Sequence, residues 1–320
     1  MDNRELIGTA LKVSRVCFGT MTFGSQTDRE AAARMMDYSI DHGVNFFDTA
    51  NTYNGGESER ILGELLGSRR QNLILASKVG MKTGDETPGL SRAAILAACE
   101  NSLKRLRTDY LDVYYLHAPD YTAGIDETLD AMHALVQSGK VRYAATSNYA
   151  SWQVMQIFAI SEKKGYAAPR ISQPMYNVVA RRIETEYLPL CKELGVSTVV
   201  YNPLAGGLLT NKHQAAQPIP GSRFDGNDMY QRRYWKDENF QAVAQLASIA
   251  AAEGRSIVSL ALNWLLHHSP ADCIILGASR MEHLEANLNA CGEGPLSNEA
   301  LAGCDEVWKL VGGVAPKYNR

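Results

Sequence analysis

Short runs of β-branched, aromatic and other apolar residues alternate with amphipathic stretches along nearly the whole chain, and this alternation limits the fold more than any other feature. Apolar residues at helical spacing, as at Ile61, Leu62, Leu65 and Leu66, mark the amphipathic stretches. Strands and helices that alternate at intervals of about 30 residues favour parallel βαβ units over an antiparallel sheet. The eight predicted strands are residues 16–21, 45–50, 73–79, 111–117, 143–148, 171–177, 197–204 and 273–279.

Eight strand–helix units are the number that closes a (β/α)8 TIM barrel, so the sequence predicts an α/β barrel. The competing doubly wound sheet would need a Gly-x-Gly-x-x-Gly turn after an early strand, and the sequence contains none. Residues 5–11 are predicted to form a short N-terminal β-hairpin that closes the N-terminal mouth of the barrel. Because such barrels use about this length as one unit, residues 1–320 are predicted to form a single domain.

The interval between the seventh and eighth predicted strands, residues 204–273, is longer than the other intervals between strands. Its first part, residues 210–235, is rich in Pro, Gly, Asn, Gln and Arg. Loops of this length in a compact domain are usually lids or binding loops. The sequence therefore predicts a long lid loop after strand 7, over the C-terminal face of the barrel.

Capping residues mark two of the predicted helices. Ser91 precedes one apolar stripe, and Asp126 precedes the next, which Gly139 closes. We therefore expect helices to begin at Ser91 and at Asp126.

Charge and cysteine content narrow the partners and the compartment. The formal net charge is −3 and no dense Lys/Arg run occurs, which argues against nucleic acid or an anionic membrane as partner. No segment approaches the roughly 20 apolar residues of a membrane span. Six cysteines without Cys-x-x-Cys pairs favour a reducing compartment. We expect a cytoplasmic protein with a small-molecule partner and no metal site, since no histidine has a second ligand at metal-binding spacing. The oligomeric state stays open.

Four side chains at the ends of successive predicted strands indicate the chemistry. Asp48 and Tyr53 follow the second strand, Lys78 closes the third and His117 closes the fourth. In a barrel such positions converge on the C-terminal face, where active sites lie. Reduction of a carbonyl needs a proton donor, and a tyrosine serves best when a cation lowers its pKa. Lys78 is the candidate cation, Asp48 its partner, and His117 the group that orients the substrate oxygen.

Other interpretations of these residues exist. Asp48 and Lys78 alone would also form a structural ion pair. A barrel lyase would use Lys78 as a Schiff-base nucleophile, although that reaction leaves the polar residues at the later strand ends without a role.

Several motifs carry a resemblance to a known family. They are residues 43–50, Tyr53 with residues 56–59, residues 139–143 leading to Ser147 and Asn148, and residues 277–280. On these motifs the chain resembles the aldo-keto reductases over essentially its whole length. The resemblance implies that Asp48, Tyr53, Lys78 and His117 form the family's catalytic tetrad.

The resemblance also implies a nicotinamide cofactor, NADPH in preference, with NADH possible, bound across the barrel mouth. Ser147, Asn148 and Gln173 match the residues that hydrogen-bond the carboxamide, and Tyr201 matches the aromatic residue that stacks on the nicotinamide ring. The family's usual Gln and Glu of the adenosine-binding helix are replaced here by His283 and Ala286. The remaining matched cofactor positions are Gly19, Thr20, Met21, Asp48, Asn202, Pro203, Leu204, Gly206, Leu208, Lys212, Arg223, Gly277, Ser279, Arg280 and Asn287.

The expected function is therefore NADPH-dependent reduction of an aldehyde or ketone, sugar-derived ones included, with Tyr53 as general acid. The alternative is a nucleotide-binding regulatory subunit that resembles the channel-associated β subunits of the same superfamily. Those proteins commonly carry Asn where His117 stands, which favours the enzyme. The sequence does not identify the substrate.

Overall fold

The computed structural model describes residues 2–319, and within them eight parallel strands close a barrel. A separate antiparallel hairpin, β1 (Asn3–Glu5) and β2 (Lys12–Ser14), precedes the barrel. The barrel strands are β3 (Val16–Gly19), β4 (Phe46–Asp48), β5 (Ile74–Val79), β6 (Leu111–Leu116), β7 (Val141–Ser147), β8 (Ile171–Gln173), β9 (Ser197–Val200) and β10 (Cys273–Gly277). Neighbours in the chain pair in parallel, and β10 closes the ring between β9 and β3. The predicted (β/α)8 barrel is confirmed.

Helices connect the strands on the outside of the barrel. They are α1 (Arg29–Asp41), α2 (Glu57–Leu66), α3 (Arg92–Leu106), α4 (Ile125–Gln137), α5 (Ser151–Lys164), α6 (Tyr187–Leu194), α7 (Asp228–Tyr234), α8 (Asp237–Ala252), α9 (Ile257–His268), α10 (Met281–Cys291) and α11 (Asn298–Val311). Ser91 caps α3, since its hydroxyl accepts a hydrogen bond from the Ala94 amide. The predicted start of α4 at Asp126 is wrong: the cap is Gly124, and Asp126 lies in the first turn, where a carboxylate suits the helix dipole.

Successive side chains of a strand point to opposite faces, so every second residue of each barrel strand faces the interior. On β5 the interior positions are Ile74, Ala76 and Lys78, and on β4 they are Phe46 and Asp48. In both strands the inward residue changes from apolar to charged towards the C-terminal end. The barrel interior is therefore an apolar core at one end and a polar site at the other.

The N-terminal hairpin closes the apolar end. Leu6, Leu11 and Val13 are buried in one cluster with the inward apolar residues of the barrel strands. The predicted hairpin is confirmed, but residues 5–11 contain mainly its turn, and the paired strands lie on either side of them. The Leu6 amide closes this turn on the Leu11 carbonyl at 2.9 Å.

The predicted lid loop corresponds to the long segment after β9, the seventh strand of the barrel. This segment contains regular structure as well as loop. A 3-10 turn (Ala205–Thr210) and α7 lie within its first part, and α8 and α9 fill the remainder before β10. The segment crosses to the loop after β3, where Gln26 Nε2 donates to the Gly221 carbonyl at 3.2 Å. Arg223 Nη1 lies 3.8 Å from Met21 Sδ. The segment thus reaches across the C-terminal mouth.

Three further observations concern the predicted compartment and ligands. None of the helices in residues 2–319 is long and apolar enough to cross a membrane. The same residues contain no group of three or more His, Cys, Asp or Glu side chains suited to hold a metal ion. All six cysteines are free thiols, and five of them are buried.

Candidate active site

Lys78 lies at the centre of the polar end of the barrel. Its side chain is fully buried, and its ammonium donates hydrogen bonds to Asp48 Oδ1, to the Thr49 carbonyl at 2.8 Å and to the Tyr53 hydroxyl at 3.2 Å. These are the three donors that an ammonium has. One lysine therefore connects the carboxylate at the end of β4 with the phenol that follows it.

Tyr53 and His117 approach each other above Lys78. Their ring centroids are 6.1 Å apart with the planes at 81°, an edge-on arrangement. Tyr53 is half-buried and His117 is 8% exposed, so both rings reach the mouth of the barrel. All four residues that the sequence predicted to meet do meet.

Burial and nearby charges have opposite effects on the pKa values of Lys78 and Tyr53. Burial disfavours the charged ammonium, but Asp48, Tyr53 and their hydrogen bonds outweigh it and raise the pKa of Lys78. Burial also raises the pKa of Tyr53, and the nearby Lys78 opposes this rise without cancelling it. The expectation that Lys78 lowers the pKa of Tyr53 below its ordinary value is therefore wrong in the net direction. Tyr53 holds its proton at neutral pH.

A chain of side-chain amides and hydroxyls continues from Asp48 along the mouth. Gln173 Nε2 donates to Asp48 Oδ2 at 2.9 Å, and Ser147 Oγ donates to the Gln173 carbonyl at 2.9 Å. Asn148 Nδ2 lies 3.0 Å from Ser147 Oγ and 2.8 Å from the His117 carbonyl. The Tyr201 hydroxyl donates to Asn148 Oδ1 at 2.7 Å. The structure thus joins these predicted cofactor residues to the tetrad.

A second set of predicted residues lies in the loop after β3 and in the segment after β9. Within the segment after β9, the Tyr230 hydroxyl donates to Asn202 Oδ1 at 3.2 Å and accepts from Arg223 Nη1 at 3.3 Å. Gly206 has φ +72°, and a Cβ there would lie 2.7 Å from the Tyr230 ring, so only glycine fits. The other members are Gly19, Thr20, Met21, Pro203, Leu204 and Leu208.

A third set lies at the start of α10. Arg280 is the N-cap residue and is exposed, Ser279 is half-buried, and Asn287 is buried further along the helix. His283 in the first turn has a lowered pKa, because burial and then the charges of Lys212 and Arg280 disfavour its protonation. Positive side chains therefore gather at this helix start, with Gly277 at the strand end before it.

Sequence reasoning missed the residues that support the tetrad from below. Ser58 Oγ lies within 2.9 Å of both the Thr20 and the Thr49 hydroxyls. Glu59 is fully buried and pairs with Arg105 at 2.6 Å. The only signal for them was the motif at residues 56–59, where two acids stand beside apolar positions of a helix. No spacing rule connects that motif to an arginine on the next helix.

The family profile described as Aldo/keto reductase family matches residues 15–309. Aflatoxin B1 aldehyde reductase member 2 of Rattus norvegicus is 38% identical over 335 residues, which cover 99% of this chain and 90% of that protein. The human aldo-keto reductase family 7 member A3 is 36% identical over 322 residues, covering 94% and 96%. A probable voltage-gated potassium channel subunit beta of Arabidopsis thaliana is 34% identical over 304 residues, covering 92% and 93%.

Fold, site and comparisons agree on a class of barrel oxidoreductases. The chain belongs to the aldo/keto reductase family, and the resemblance inferred from the motifs is confirmed. Members of this family typically act on small carbonyl compounds with NADP(H).

Proposed function

We propose that residues 1–320 act as a single-domain, NADPH-dependent reductase of aldehydes or ketones, sugar-derived ones included, with Tyr53 as the general acid. The observation that carries this proposal is the hydrogen-bonded series from Asp48 through Lys78 to the Tyr53 hydroxyl at the barrel mouth. The names of similar proteins, which include aldehyde reductases, support the same reaction class.

The residues of the mouth fit a nicotinamide dinucleotide. Asn202 Nδ2 is buried and has no hydrogen-bond partner among residues 2–319, so a donor is left for a ligand oxygen. Ser147, Asn148 and Gln173 would hold the carboxamide, and Tyr201 would lie against the ring. When bound, the cofactor supplies the hydride that the carbonyl carbon accepts. The glycines of the segment after β9 allow backbone to approach a pyrophosphate closely.

The side chains of the tetrad then perform the proton transfer. Tyr53 donates its hydroxyl proton to the carbonyl oxygen as the carbon is reduced, and the alcohol is the product. Lys78 stabilises the tyrosinate that remains, because its ammonium already lies 3.2 Å from that oxygen. Asp48 keeps Lys78 charged and oriented, and His117 directs the substrate oxygen towards Tyr53. A proton from solvent restores the phenol.

The geometry disfavours the Schiff-base lyase. A Schiff-base lysine must be neutral and must reach the substrate. Lys78 is fully buried beneath Tyr53, and its partners raise its pKa. Lys78 therefore stays an ammonium, which has no free electron pair for attack on a carbonyl.

The positive group at the start of α10 supports NADPH over NADH. Arg280, Lys212 and Ser279 would bind the 2′-phosphate that only NADPH carries, at a helix N-terminus that favours an anion. His283 is close enough to Lys212 and Arg280 to feel their charges. Arg223, held by Tyr230, would close over the cofactor from the segment after β9.

The second candidate is a nucleotide-binding regulatory subunit, which the similarity to the Arabidopsis potassium channel subunit supports. Both functions need the same cofactor residues. They differ in turnover, because a sensor needs slow chemistry and an enzyme needs a complete tetrad. The presence of His117 beside Tyr53 favours the enzyme.

The deciding experiment is a fluorescence titration of the purified protein with NADPH and with NADH, followed by addition of 4-nitrobenzaldehyde. We expect tighter binding of NADPH and its oxidation when the aldehyde is added. Binding with negligible turnover across aldehydes, ketones and sugars would support the regulatory subunit. Binding of neither nucleotide would contradict both candidates.

A further inference from the structure

We propose that Arg105, on α3 and outside the tetrad, is a positioning residue that holds the Tyr53 turn against the strand that carries Lys78. This inference rests on the proposed function, since it assigns Arg105 a part in that proton transfer. Arg105 does not touch the reacting atoms. It acts through the segments on either side of them.

Arg105 joins two carboxylates that come from different parts of the barrel. Its Nε donates to Glu59 Oε2 and its Nη1 donates to Glu86 Oε1, both at 2.6 Å. Glu59 lies on α2 and is fully buried, and Glu86 lies in the loop after β5. The Arg105 side chain is only 13% exposed. The guanidinium therefore connects α2, α3 and the loop after β5 in a site largely shielded from water.

Each carboxylate is in turn bonded to a residue next to the tetrad. Glu59 Oε1 accepts from the hydroxyl of Ser77, which precedes Lys78 on β5, at 2.5 Å. Glu86 Oε2 accepts from Asn51 Nδ2, two residues before Tyr53, at 3.2 Å. The backbone N–H of Asn51 donates to the backbone carbonyl of Lys78 at 3.3 Å. Both partners of the Lys78–Tyr53 hydrogen bond are thus held by one network.

Arg105 also packs directly on the turn that follows Tyr53. A Cβ at Gly56 would lie 2.9 Å from Arg105 Cδ and 3.1 Å from its Nε, so the stem of the arginine covers the glycine. Asn54, Gly55 and Gly56 all have positive φ, at 52°, 64° and 91°. Glycine adopts this conformation without strain and is otherwise flexible, so the turn needs support from its surroundings to hold one conformation. Arg105 supplies such support.

The charge balance makes arginine the suitable residue here. The buried Glu59 carboxylate and the half-buried Glu86 carboxylate face one guanidinium. Burial opposes the charge of Arg105, but the two carboxylates outweigh burial and raise its pKa. A planar guanidinium can donate to two acids at once in fixed directions, whereas an ammonium has no such fork. Lysine at this position would keep the charge and lose part of the geometry.

The test compares Arg105→Ala with Arg70→Ala. Arg70 is the matched control because its side chain is 11% exposed and pairs with buried Asp112, but it lies before β5 at the opposite end of the barrel. Single-turnover reduction of 4-nitrobenzaldehyde is measured with NADPH already bound, so that product release does not hide the chemical step. Rates are taken below the melting temperature of each variant and are divided by the concentration of NADPH-binding sites.

We expect Arg105→Ala to slow the single-turnover step about 10- to 100-fold, because a misplacement of about 1 Å costs that much in an oriented reaction. The Kd for NADPH should stay near that of the wild type, and Arg105→Lys should recover part of the rate. Arg70→Ala should lower stability and leave the single-turnover rate unchanged. Equal slowing in Arg105→Ala and Arg70→Ala would overturn the proposal.

Two further measurements keep the proposal falsifiable if Arg105→Ala folds poorly or if the aldehyde is not a substrate. Asn51→Ala and Ser77→Ala each remove one bond of the network without leaving a buried charge unpaired, and each should slow the step relative to the wild type. Hydrogen exchange of backbone amides 51–57 should accelerate in Arg105→Lys and not in Arg70→Lys. Unchanged exchange would overturn the positioning role. Failure of the wild type to reduce any carbonyl would instead contradict the proposed function.

Discussion

The two ends of the barrel are built from the same strands and differ in what those strands face inward. At the N-terminal end Phe46 and Ile74 are buried in one apolar cluster with Leu6 of the hairpin. At the C-terminal end, two and four residues later on the same strands, stand Asp48 and Lys78. The first end is an apolar core, and the second carries the proposed chemistry. The inward side chains change from apolar to charged within two or three inward positions. Because a strand advances only about 3.3 Å per residue, the apolar core and the polar site lie close together in the barrel.

Charge is also handled differently at the two ends. Asp112 at the N-terminal end binds Arg70, Arg142 and the Leu75 amide, so its oxygens are occupied by structural partners. Asp48 at the C-terminal end binds Lys78, which in turn meets a phenol that reaches the mouth. The first network is closed by structural partners on every side, whereas the second ends at a side chain in the open mouth of the barrel. A useful experiment therefore changes matched residues at both ends.

Tyr53→Phe should have the largest effect, since it removes the proposed proton donor from the C-terminal end. We expect the rate of carbonyl reduction to fall by about 100- to 10,000-fold, the range that general acid catalysis contributes. Binding of NADPH, measured by fluorescence, should be unchanged because the ring remains. Reduction at near wild-type rate would show that another group donates the proton.

Leu6→Ala should be the most damaging change at the N-terminal end. Leu6 is 1% exposed and sits among the inward residues of the barrel, so its removal leaves a cavity. We expect a loss of about 2–5 kcal/mol in the free energy of unfolding, measured by chemical denaturation, with kcat unaffected at low temperature. Ile7→Ala is the control, because Ile7 is 54% exposed. A loss of kcat in folded Leu6→Ala would contradict the separation of the two ends.

Much of this arrangement was predictable from the sequence. Strands that alternate with helices predict a parallel barrel, and the barrel brings the ends of β4, β5 and β6 to one face. Asp48, Lys78 and His117 lie at those ends, so local pattern and topology were sufficient to bring them together with Tyr53. The hairpin was also predictable from local pattern. Its predicted range, residues 5–11, covers mainly the turn, whereas the paired strands are residues 3–5 and 12–14.

What escaped prediction depends on distances between residues far apart in the sequence. The pairing of Glu59 with Arg105 spans 46 residues and joins two helices whose rotation on the barrel no periodicity specifies. The net pKa of Tyr53 depends on how much water reaches its hydroxyl, which a motif does not encode. Helix α4 begins before the predicted start at Asp126, because Gly124 is the N-cap residue. These details arise from packing.

The pH dependence of the reaction should report the burial of Tyr53. Its raised pKa means that the proton is present at and below neutral pH and is lost only as pH rises through that pKa. Reduction at saturating NADPH should therefore be flat through neutral pH and should fall up to tenfold per pH unit only above about pH 10, the ordinary value for tyrosine. Single-turnover rates across this range test it, with circular dichroism as the control for folding. A fall that begins near neutral pH would indicate a different acid.

Tyr143→Phe should have the smallest effect and completes the comparison, because it removes a tyrosine hydroxyl from the N-terminal end just as Tyr53→Phe does from the C-terminal end. The Tyr143 hydroxyl accepts from the Ala10 amide at 2.8 Å and ties the hairpin turn to β7. Water can replace this exposed bond, so we expect a loss of no more than about 1 kcal/mol in the free energy of unfolding. The reduction rate should be unchanged. Since both variants remove one oxygen atom, a rate loss in Tyr143→Phe comparable to that in Tyr53→Phe would mean that the hairpin end communicates with the active site and that the two ends are not independent.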